Sequence, residues 1–156
     1  MVLVIAVPTA AFGATTFVND PTGEDYPDIA KLTLENNQGA VVLKQKYTDV
    51  NEPMVHSLYI KWGDATHYRI NHGDYDANES TPFTTHLYLS TPDGDREKIC
   101  DTMTAVKNQD TDVLKVRVPR SCLPKADNRV FAKGVATAGG PFAIDQTART
   151  AKVSRG

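Results

Sequence analysis

Residues 29–47 read IAKLTLENNQGAVVLKQKY, and this stretch decides the fold. From 29 to 34 the chain alternates, with Ala30, Leu32 and Leu34 on one face and Lys31 and Thr33 on the other. From 40 to 47 it alternates again, with Val41, Leu43 and Tyr47 opposite Lys44 and Lys46. An extended chain points successive side chains to opposite faces, so a period of two predicts half-buried strands. Glu35-Asn36-Asn37-Gln38-Gly39 supplies the turn between them, and the two runs read as a hairpin.

The same signature continues along the chain. Residues 55–62 form a run with His56, Leu58, Ile60 and Trp62 on one face, and 66–70 turn back after Gly63-Asp64. Further strands are expected at 84–89, 97–106, 113–118 and 129–135, with 148–153 as a last edge strand. Residues 71–82 read as a polar loop. Thr91-Pro92-Asp93-Gly94 is a tight turn, because Pro fixes φ and Gly accepts positive φ. Pro119 ends any helical alternative for 113–118. About eight or nine short strands at this spacing predict an all-β chain, an antiparallel β-sandwich of immunoglobulin-like or jelly-roll type. Composition agrees. Asp supplies 14 of the 19 acidic residues, and Thr and Val number 17 and 15, which favours turns and pleated strands over helices.

The chain has 156 residues, enough for one domain with one sizeable core. Its first 13 residues, MVLVIAVPTAAFG, resemble the apolar and cleavage regions of a secretory signal peptide without its basic start. The alternative is a buried first strand, VLVIAV. The leader reading leaves a single domain over 14–156 and a secreted protein. The apolar run is too short to span a membrane. Cys100 and Cys122 are the only cysteines. In an exported chain they would most simply form one disulfide, whereas two buried free thiols would suit a cytosolic one.

A net charge of −2 argues against a dedicated nucleic-acid binder. That figure hides an asymmetry. Residues 1–114 carry 8 basic and 17 acidic side chains, and residues 115–156 carry 9 basic and 2 acidic ones. A basic C-terminal surface for an acidic polymer is one reading. The plainer one, favoured here, is that late basic strands lie beside early acidic ones.

Asp20-Pro21-Thr22-Gly23-Glu24-Asp25, followed by Asp28-Ile29 opening a strand, resembles the start of DOMON-like and family 9-like carbohydrate-binding β-sandwich domains. There such a loop can help to bind calcium. The resemblance implies calcium at Asp20, Glu24, Asp25 and Asp28, with Glu24 standing where the pattern has Asp and with a shorter loop before Asp28. The leader, this start, Val118-Pro119-Arg120-Ser121-Cys122-Leu123 and the closing Val153-Ser154-Arg155-Gly156 resemble a group of small secreted actinobacterial β-sandwich proteins. That second resemblance implies an exported sandwich with one disulfide and no particular chemistry.

Other candidates compete with plainer readings. The four acidic residues can simply cap turns in a solvated loop. Asp74-Tyr75-Asp76-Ala77-Asn78 has the oxygen spacing of an EF-hand start, but Glu79 stands at the turn glycine and Thr85 at the bidentate Glu. His56, His67, His72 and His86, three of them on expected strands, form no tight metal pattern and read as solvated or hydrogen-bonded side chains, with a zinc or catalytic cluster assembled by folding as the alternative. No GxSxG elbow is present, and Ser121 reads as turn chemistry. Trp62 shares the Leu58 face and is expected in the core, while Tyr59, on the opposite face, and Tyr75 are candidate ligand contacts. The expectation is a non-catalytic exported domain that binds carbohydrate or another envelope component. A sheet-edge protein-interaction module is the alternative, and a small hydrolase a more distant one.

Overall fold

The computed structural model describes residues 13–20, 28–48, 54–73, 84–138 and 144–156. Most of the expected leader, Glu24, Asp25 and the 74–78 segment with Tyr75 lie outside the described residues. The deciding hairpin forms β2 (Ile29–Asn36) and β3 (Ala40–Tyr47), with Leu34 opposite Leu43. A register shift between Ile29 and Lys31 turns Ile29 inward in place of Ala30. β1 (Ala14–Asn19) pairs with β2, while β9 (Val113–Pro119) pairs with β3 and β8 (Thr104–Asn108) with β9. These five strands make one sheet in the order β1-β2-β3-β9-β8.

The second sheet is built on a meander of β4 (Met54–Lys61), β5 (His67–Gly73), β6 (Thr84–Thr91) and β7 (Gly94–Lys98). Gly94, at φ 117°, closes the β6–β7 turn in the conformation expected of it. β10 (Arg129–Ala138) joins beside β4. β11 (Ile144–Gln146) and β12 (Val153–Ser154) occupy the other edge of β10 at opposite ends. Between those two short strands the Thr147 and Thr150 hydroxyls accept the Gly134 and Ala132 amides at 3.0 and 2.9 Å. Two threonines thus satisfy an edge that would otherwise expose unpaired donors.

Among the described residues the sandwich has twelve strands, where about eight or nine were expected. The run 97–106 is not one strand, because the chain leaves the second sheet after Lys98 and enters the first at Thr104. Cys100 lies in that crossing and is bonded to Cys122, with Cα atoms 5.7 Å apart. Cys122 ends a single 3-10 turn, Arg120–Cys122, that also holds Ser121. Residues 148–153 mostly run as threonine-pinned chain rather than strand. β5 continues through Asn71, His72 and Gly73, which the sequence places in the polar loop from 71.

Ile29, Leu32, Leu34, Leu43, Leu58, Ile60, Ile70 and Leu114 fill the space between the sheets, each fully buried. Trp62 packs half-buried against this core, its ring 5.5 Å from that of Tyr68. Asn36, also fully buried, ties the end of the sandwich that holds the β2–β3 turn. Its amide donates to the Asn128 and Val153 carbonyls at 3.0 and 2.9 Å, and its oxygen accepts from Arg120. The charge expectation fails for β9. Lys115 faces Lys44 of β3, not an acidic strand, although Arg149 does reach Asp64.

Candidate functional site

Alternation and register define what the second sheet shows to solvent. The outward residues of one row, from β10 to β7, are Lys133, Tyr59, Arg69, Tyr88 and Glu97. The next row holds Phe131, Lys61, His67, Ser90 and Asp95. Strands are spaced by about 4.8 Å, so Tyr59 and Tyr88 stand roughly 10 Å apart with Arg69 between them. Both rings are half-buried. Tyr59 lies 5.5 Å from the His67 ring, and the Arg69 guanidinium lies 5.0 Å from the Tyr88 centroid. Arg69 also pairs with Asp95 at 2.7 Å, and His86 Nδ1 meets Glu97 at 2.6 Å.

Three polar atoms in this patch lack a hydrogen-bond partner: His67 Nδ1, Arg69 Nε and Ser90 Oγ. Ser90 lies opposite His67 and is only 6% exposed. These atoms are themselves buried, so each carries a desolvation cost within the folded sheet. Burial first, and then Lys61 and Arg69, hold His67 below the usual histidine range, with Asp95 acting in the opposite direction. A neutral imidazole offers one donor and one acceptor, which suits a hydroxyl partner. The arrangement is a row of two half-buried rings with a guanidinium between them on the outer face of the sheet.

A second polar group lies inside, near the end of the sandwich where β3 finishes and β4 begins. Tyr47 and His56 are fully buried, and the Tyr47 hydroxyl bonds His56 Nδ1. The His72 ring lies 5.9 Å from that of His56, and its Nδ1 bonds Thr85 Oγ1 at 2.8 Å. Burial, followed by the charges of His72 and Lys107, pushes His56 down to about 3. Burial and Lys107 lower His72 as well. Lys107 also lines an open cleft of about 510 Å³ with Val106, Asn108, Gln109 and Asp110. Gln45, next inward on β3, has neither polar atom paired, and His56 Nε2 is also unpaired.

The expected metal residues are only partly in view. Asp20 and Asp28 flank one connection, with the Asp20 amide donating to Ala30 and Asp28 accepting from Thr48. Among the described residues no three His, Cys, Asp or Glu side chains converge on a metal position. Tyr59 stands outward as expected, and all four histidines lie on strands. Tyr88 was legible from its alternation with Leu87 and Leu89, but its alignment with Arg69 and Tyr59 depends on strand register. Comparison with protein-family models, curated proteins and solved structures returned no match.

Proposed function

We propose that this chain is a non-catalytic β-sandwich domain of an exported protein that binds a carbohydrate of the cell envelope on the outer face of its second sheet. The observation that carries the reading is the row Tyr59–Arg69–Tyr88, two half-buried rings flanking a cation on the outer face of the sheet. Sugar rings stack on aromatic faces through their C–H surfaces while their hydroxyls seek donors and acceptors. The Cys100–Cys122 bond supports the exported part, since disulfides persist in oxidising compartments.

Sheet-edge docking of a protein partner is less well supported. At β7, one edge of the second sheet, four consecutive charged side chains in GDREK discourage strand addition. A calcium ion held by Asp20, Glu24, Asp25 and Asp28 would be a structural adjunct, and calorimetry of metal-free protein showing no heat with calcium rejects it.

Affinity electrophoresis through gels containing neutral polysaccharides tests the main reading. The intact chain should be retarded by at least one polymer, and Tyr59→Ala and Tyr88→Ala should restore free migration. Retardation that survives both substitutions overturns the proposal.

A further inference from the structure

The opposite face of the molecule has a different chemistry. On the outer side of the first sheet β2, β3 and β9 present Lys31, Lys44, Lys46, Lys115 and Arg117, with Glu35 as the acidic residue among those outward positions. Register sets Lys31 directly opposite Lys46, and Lys44 directly opposite Lys115. Like charges paired across strands destabilise a sheet, so folding alone does not favour this placement. Lys44 is relieved by Glu35 at 2.5 Å, and the Lys31 ammonium lies 4.0 Å from the centre of the Phe17 ring. Among the described residues no carboxylate forms an ion pair with Lys46, Lys115 or Arg117, and these three are exposed.

From these observations we infer that this face binds a linear acidic polysaccharide. Strand spacing and rise place the five cations in a diagonal band about 17 Å long, with neighbours about 5–7 Å apart. A chain carrying one carboxylate per sugar presents charges at a similar interval. Four of the five cations are lysines, flexible point charges that read charge density more than the planar geometry of one group. Phe17 is the only ring beside the band among the described residues, at its Lys31 end, and a single ring makes no row on which successive nucleic-acid bases could stack. Phe17 and Val106, both exposed, sit on the two edge strands about 19 Å apart, so no contiguous apolar patch is offered to a lipid surface. The site is separate from the Tyr59 platform, on the other sheet.

Polygalacturonate, a linear polyuronate, is the probe, titrated against the full chain with dextran, single-stranded DNA and phosphatidylglycerol vesicles alongside. Polygalacturonate should bind, should weaken steeply between 50 and 200 mM salt, and should lose at least tenfold in affinity in the double variant Lys46→Glu/Lys115→Glu. That variant relieves two like-charge pairs, so its thermal midpoint should not fall. Tyr59→Ala should leave polygalacturonate binding unchanged, which separates this site from the sugar platform. Equal affinity of the double variant and the unaltered chain overturns the inference. Tighter binding of DNA or vesicles than of polygalacturonate overturns it as well.

Discussion

Lowering the pH should destabilise this protein through His56, and the size of the effect follows from its burial. The side chain is fully buried between the sheets, and burial with the neighbouring His72 and Lys107 brings it to about 3 from 6.5. In the unfolded chain the same imidazole takes its proton near its ordinary value. Below that value the unfolded state binds a proton that the folded state refuses. Stability is therefore complete above 6.5 and falls as pH drops, until the folded group titrates near 3. The slope for one such group is about 1.4 kcal/mol per pH unit, so moving from pH 7.5 to 5.0 should remove about 2 kcal/mol through His56. His72 is lowered for the same cause and adds in the same direction. Urea unfolding at both pH values measures the loss. His56→Gln keeps a polar group beside Tyr47 but removes the titration, so its loss between the two pH values should be smaller by about 2 kcal/mol. Any general cost of the substitution cancels in that difference. A variant as pH-sensitive as the unaltered chain would refute the assignment of the proton to His56.

The other expectations are structural. Asn36→Ala removes two bonds to backbone carbonyls and one of the two acceptors of Arg120, which keeps the Asn37 carbonyl, and urea unfolding should show a loss of about 3 kcal/mol. At Gly134 a Cβ would lie 2.6 Å from Gln45 Nε2, so Gly134→Ala should cost about 1 kcal/mol, and much less in a Gln45→Ala background. An equal cost in both backgrounds would show that Gln45 is not the obstacle. Replacing Cys100 and Cys122 together with Ser opens a loop of 22 residues, which should cost about 3 kcal/mol and lower the thermal midpoint by roughly 10 °C.

How far the sequence could be read depended on whether burial and hydrophobicity coincided. Leu32, Leu34, Val41 and Leu43 are apolar and inward, so the β2–β3 hairpin was legible from alternation alone. Gln45 and His72 are buried but polar, and no periodic apolar signal marks them. β1 packs only lightly, with Thr15, Phe17 and Asn19 exposed, so its alternation reads weakly. The break between β7 and β8 was hidden because both halves favour extension, and only the pairing partners differ. Tyr59 could be assigned to the outer face from its own strand. Its alignment with Arg69 and Tyr88, and the meeting of Lys44 with Lys115, depend on which strands become neighbours. Charge complementarity was a reasonable guide to that pairing and failed for β9, whose Leu114, Val116 and Val118 are fully buried in the core. The burial of those three side chains outweighs a surface repulsion of the order of 1 kcal/mol or less.

Sugar binding on the proposed Tyr59 face can be read residue by residue. Amide shift mapping of the ¹⁵N-labelled chain with soluble glucan, chitin, xylan and mannan hexasaccharides tests it most directly. At least one hexasaccharide should move the resonances of Tyr59, His67, Arg69, Tyr88 and Ser90 together and leave those of Lys44, Lys46 and Lys115 in place. Shifts centred anywhere else, or none with any of the four, would contradict it.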